Sequence, residues 1–153
     1  MANYTAQDVK QLREETGAGM MDCKKALDQT DGDFEKAKEV VRQKGLANAE
    51  KKADRETNEG YIASYVHSTN KVAALVEILC ETDFVARNEE FQAMAKDVAL
   101  HVVALNPESV AELLAQPFVK NPDVTIEDLV KGVSGKIGEK FVVSRFIRYE
   151  VGQ

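Results

Sequence analysis

Two cysteines and two histidines are the most reactive side chains of this 153-residue chain, so their placement decides whether it could be an enzyme. His67 and Cys80 invite comparison with a thiol–imidazole pair, since both flank one β-rich stretch. The residues Ser68-Thr69-Asn70-Lys71 read as a hairpin turn, which leaves His67 at the turn and Cys80 at the far end of the returning run. Nine residues at about 3.3 Å each separate them by roughly 30 Å, so no dyad forms. His101 falls at the edge of an apolar helix face, where packing or solvation is the ordinary role. Cys23 and Cys80 lie far apart without paired spacing and read as buried thiols rather than a disulfide, a zinc site or a redox motif. Glu77, Glu81 and Asp83 alternate along one strand, where carboxylates diverge and hold no cation without further ligands. No glycine-rich phosphate loop is present. Neither an enzyme nor a cofactor is expected.

Binding is the remaining chemistry, and two stretches suit it. Thr82-Asp83-Phe84-Val85 lies between an apolar strand and a helix start, so a rigid scaffold holds a short turn carrying one large ring. The ring either points outward or folds back into the core, as aromatic residues at strand ends usually do. Gly17-Ala18-Gly19-Met20-Met21 opens a helix. Adjacent helical positions differ by about 100°, so two neighbouring methionines do not both face a thin core unless both merely cover the bundle. An outward methionine adapts well to a partner surface. Arg13 and Lys24 lie nearby in sequence and either rim that patch or are ordinary solvated cations.

The elements that must position these residues follow from local pattern. Thr5 and Asp8 have capping-box spacing, Val9 and Leu12 begin an apolar stripe, and Gly17 stops it. A second helix covers roughly 21–29, and a third runs from Asp33 to Gly45. Residues 1–45 are thus a minimal three-helix bundle. Residues 46–58 lack an apolar stripe and read as a charged linker, partly helical at most. Residues 59–153 hold a hairpin, a helix opened by Asn88 and ended by Pro107, a looser stretch with Pro117 and Pro122, a helix capped by Thr125, and a last strand over 141–151. Segregated strands and helices make this an α+β domain with a three-stranded antiparallel sheet.

The formal charge of −6 sets the chain against phosphate backbones, so direct nucleic-acid binding is not expected. No run of about 18 apolar residues exists, which excludes a spanning helix, and the first residues carry no secretion signal. A cytoplasmic protein without membrane contact is expected.

Two long stretches resemble the translation elongation factor Ts family of bacterial type, in its short form. One runs from Val9 through Arg13, Met20, Met21 and Lys24 to Leu27, followed by Gly32-Asp33. The other runs from Cys80 through Thr82-Asp83-Phe84-Val85 to Phe91, and Lys136-Ile137-Gly138-Glu139 is a further family-like element. The resemblance implies a bundle similar to ubiquitin-associated domains, followed by a core of antiparallel sheet packed on helices. It also implies an activity, namely docking on the GTPase elongation factor Tu and lowering its affinity for GDP and Mg²⁺. Within the family, the residues matching Asp83 and Phe84 insert near the Mg²⁺-holding loops of Tu, while those matching Arg13, Met20, Met21 and Lys24 contact Tu; Lys52 in the linker also matches a family contact position. A rival reading makes the bundle a module for ubiquitin-like partners, which would have no use for the Phe84 turn. A thousandfold loosening of nucleotide needs about 4 kcal/mol, whereas burying one Phe gives roughly 1.5–3 kcal/mol, so a second docking surface is required. Longer members carry a second core half after the stretch matching 141–151. Its absence here implies that two chains pair through their sheet domains as a homodimer.

Overall fold

The computed structural model describes residues 2–153. Helix α1 spans Ala6–Thr16 and opens on the expected capping box. The Thr5 hydroxyl accepts from the Asp8 amide, and the Asp8 carboxylate accepts from the Thr5 amide at 2.7 Å. Gly17 ends the helix at φ 68, the left-handed geometry that glycine adopts without a Cβ penalty. Helices α2 (Met20–Gln29) and α3 (Phe34–Glu50) complete the bundle around buried Leu12, Cys23, Ala26, Leu27 and Ala37.

Helix α3 does not stop at Gly45, contrary to the sequence expectation, and continues to Glu50. Gly45 is instead a packing position. Helix α7 (Ile126–Ile137) crosses α3 there so closely that a Cβ on Gly135 would lie 2.2 Å from the Gly45 carbonyl oxygen. It is Gly135 that must lack a side chain for the backbones to approach this closely. A second contact joins bundle and core at Gly17, where an added Cβ would lie 1.8 Å from Cε of Lys136. The Lys136 ammonium is held over that turn by Glu90 at 2.6 Å.

The core is a mixed α+β unit. Strands β1 (Glu59–Val66), β2 (Val72–Cys80) and β5 (Val142–Glu150) form an antiparallel sheet in the order β1-β2-β5, with a bulge between Glu77 and Ile78. Alternation along β2 sends Ala74, Val76, Ile78 and Cys80 to the covered face. There they meet helix α5 (Glu89–Leu105), whose Phe91, Met94, Ala95, Val98 and Val102 are buried. Phe91 packs edge-on against Phe141 with centroids 4.8 Å apart. The opposite face is left bare. Ile62, Leu75, Ile147 and Tyr149 are exposed on it, and Leu75 and Ile147 are direct cross-strand partners.

The stretch expected to be loose is ordered. It holds helix α6 (Val110–Ala115) and a small hairpin of β3 (Pro117–Phe118) and β4 (Asn121–Thr125). Its anchor is His101, which is fully buried rather than at a face edge. The imidazole Nδ1 accepts from the Val119 amide at 3.1 Å while Nε2 faces Gln116 Oε1 at 2.9 Å. Burial holds its pKa below the ordinary histidine value.

Candidate functional site

The ladder of β2 ends at Cys80, opposite Glu59. Two residues later the chain turns into the single-turn helix α4 (Asp83–Ala86), with Thr82 as its cap. The Thr82 hydroxyl accepts from the Val85 amide at 3.3 Å. The turn is also gripped from the far end of the chain. One Glu139 oxygen accepts from the amides of Glu81 and Thr82, both at 3.0 Å, and the other accepts from the Thr82 hydroxyl at 2.7 Å. From beneath, the Cys80 thiol donates to the Thr82 carbonyl at 3.3 Å, and its pKa is pushed up to about 11, chiefly by burial and then by the Glu139 charge.

This arrangement divides the four residues by role. Phe84 points outward and is 80% exposed, more than any other large apolar side chain in the described residues. The fold-back alternative is thereby removed. Val85 packs against the core cluster, anchoring the same turn. Asp83 pairs with Arg87 at 3.1 Å, one helical turn away, with both side chains largely solvated. Such a pair contributes little to the fold, so the Asp83 carboxylate is free to exchange partners.

The methionine turn also opens outward. Met20 is 57% and Met21 62% exposed, because α2 buries Cys23, Ala26 and Leu27 and leaves its first turn to solvent. They share a shallow groove of about 540 Å³ with Tyr4, Val9, Arg13 and Lys24. All four residues expected in the bundle therefore line one feature, with an apolar floor and basic rim. Lys52 belongs to neither surface. It is 8% exposed, and its ammonium donates to the Ser134 carbonyl at 3.3 Å, tying the connector to α7. Burial lowers its pKa.

Residue type alone does not mark Glu139, since an acid after a helix-ending glycine is unremarkable in sequence. Its signal lay in the Lys136-Ile137-Gly138-Glu139 element, whose purpose only the fold reveals.

Fold and surfaces define a two-part α+β chain that presents methionine and phenylalanine side chains outward from rigid turns. The family model described as Elongation factor TS matches residues 81–153. The Elongation factor Ts of Thermodesulfovibrio yellowstonii is 44% identical, over 97% of this chain and 96% of that protein. That of Carboxydothermus hydrogenoformans is 41% identical, over 97% and 89%, and that of Desulforamulus reducens 42%, over 100% and 91%. The chain belongs to the elongation factor Ts family, and its role lies in translation elongation.

These relatives place the length difference inside the chain. The first alignment runs over 193 positions and holds at most 153 residues of this chain, so at least 40 (193 minus 153) carry residues found only in the relative. Only 4% of that relative lies outside the alignment, which leaves no room for a second core half beyond it. No helix among the described residues is long and apolar enough to cross a membrane.

Proposed function

We propose that this chain is a guanine-nucleotide exchange factor for elongation factor Tu. It binds Tu in the GDP-bound and nucleotide-free states, disturbs the Mg²⁺ and nucleotide site, and promotes GDP release without covalent chemistry of its own. The observation that carries this reading is a phenylalanine held almost bare on a clamped turn. An apolar ring costs free energy in water and recovers it only on a partner. A ring that favours one arrangement of a partner's nucleotide loops weakens nucleotide binding by the factor by which nucleotide weakens the ring's docking.

Residues 1–45 act as the Tu-binding bundle, 46–58 as a connector and 59–153 as the core, with Lys52 serving as a strut inside the connector. The groove of Arg13, Met20, Met21 and Lys24 supplies the second docking surface that one ring cannot replace. The protein works in the cytoplasm and touches neither nucleic acid nor membrane. Catalytic amounts should accelerate release of a fluorescent GDP analogue from Tu, and an unchanged release rate would remove the reading. Met20→Ala and Met21→Ala should each weaken Tu binding by roughly tenfold, as expected for losing about 1.4 kcal/mol of apolar burial. Titration that finds wild-type affinity for both would assign the groove elsewhere.

The bare outer face of the sheet supports pairing of two copies. Ile62, Leu75, Ile147 and Tyr149 would be covered in a homodimer, which would also present two sets of docking surfaces. Light scattering at micromolar concentration should report twice the chain mass of 16.9 kDa, and a purely monomeric species would exclude the pairing.

A further inference from the structure

Phe84 is too exposed for packing to fix its direction, so its aim depends on the backbone of residues 81–83. That backbone lies between the last ladder residue, Cys80, and the first residue of α4. The Glu81 amide, the Thr82 amide and the Thr82 hydroxyl there are three donors that the sheet does not serve, and the Glu139 carboxylate accepts all three. The Thr82 carbonyl accepts from the Ala86 amide within α4 at 3.1 Å and from the Cys80 thiol, a weak donor, so the Glu139 carboxylate is the one acceptor that reaches this backbone from outside the turn. Glu139 is itself immobilised. Its carbonyl accepts from the Ser134 hydroxyl, and the preceding Gly138 carbonyl accepts from Arg55 at 3.2 Å. The same Arg55 reaches Glu81 at 3.5 Å, and the Lys140 amide donates to Glu81 at 3.2 Å, so the start of the turn is also tied to the residues that follow α7.

We propose that Glu139 is a positioning residue for nucleotide exchange: its carboxylate, 57 residues from Thr82 in sequence, sets the turn that aims Phe84. This rests on the exchange-factor reading and adds a residue that acts through the turn rather than through the ring itself. Glu139→Gln keeps an acceptor for the two amides, and Glu139→Ala removes every acceptor.

The test measures release of a fluorescent GDP analogue from Tu over a range of factor concentrations. Glu139→Ala should lower the maximal rate at saturating factor by about tenfold, the scale of losing hydrogen bonds to a charged acceptor. Glu139→Gln should restore at least roughly half of the rate, since the two amide bonds persist. In a Phe84→Ala background, Glu139→Ala should have no further effect, because there is no ring left to aim. In the free protein, hydrogen exchange at the Thr82 amide should speed up in Glu139→Ala and stay slow in Glu139→Gln. Wild-type exchange by Glu139→Ala, or an equal loss in both backgrounds, would overturn the proposal. An inactive wild-type protein would instead overturn the reading beneath it, and with it the positioning role.

Discussion

Phe84→Ala will cut the maximal rate of GDP release by roughly tenfold to a hundredfold, the equivalent of losing the 1.5–3 kcal/mol that burying a phenylalanine supplies. The melting temperature of the free protein will not fall. A ring 80% exposed contributes little to its own core, so nearly all of its apolar burial would be gained on the partner. Stability and activity are thus separable at this residue, whereas at Phe91, fully buried against Phe141, they are not. A rate equal to wild type with an unchanged melting temperature would show that the ring is a bystander. Asp83→Ala should act in the same direction and more weakly, since its pairing with Arg87 is exposed and readily exchanged.

The second large effect is expected where α3 crosses α7. Gly135→Ala should destabilise the protein by about 1–3 kcal/mol, the usual cost of overpacking, because the new methyl would lie 2.2 Å from a backbone oxygen that cannot rotate away. That corresponds to a fall in melting temperature of roughly 2–10 °C for a chain of this length. Gly45→Ala, on the facing helix, should be neutral or stabilising. Its added Cβ meets nothing nearer than the Gly132 carbonyl oxygen at 3.9 Å, and alanine is favoured over glycine within a helix by up to about 1 kcal/mol. Thermal unfolding of the two variants side by side checks the crossing; equal behaviour would mean that the helices do not meet as described. Parting them would also move the methionine groove relative to Phe84, so Gly135→Ala should weaken Tu binding although it lies in neither surface.

Much of this architecture was legible because its signals are local. Thr5 with Asp8, Asn88, and Thr125 with Asp128 announce helix starts by side-chain chemistry confined to one turn, and each one caps as expected. Gly17 was readable for the same reason. Gly45 was not, since a glycine that ends a helix and one inside a helix look alike in sequence, and the α7 crossing that its carbonyl meets comes from Gly135, some ninety residues on. The order of the stretch holding Pro117 and Pro122 is not legible in sequence, because it comes from His101, a buried imidazole whose two ring nitrogens serve a segment elsewhere in the chain. The candidate surfaces divide likewise. Two adjacent methionines at a helix start and a phenylalanine among polar neighbours could be read directly, whereas the roles of Glu139 and Lys52 depend on contacts with residues 57 and 82 positions away.

Both cysteines are buried and unpaired, and burial raises the pKa of each thiol. At neutral pH they are protonated and shielded, poor nucleophiles toward alkylating reagents. A cysteine introduced at Phe84 or Met21 would therefore be the one thiol that a maleimide dye reaches. Site-selective spectroscopy on either surface needs no prior removal of the native sulfurs.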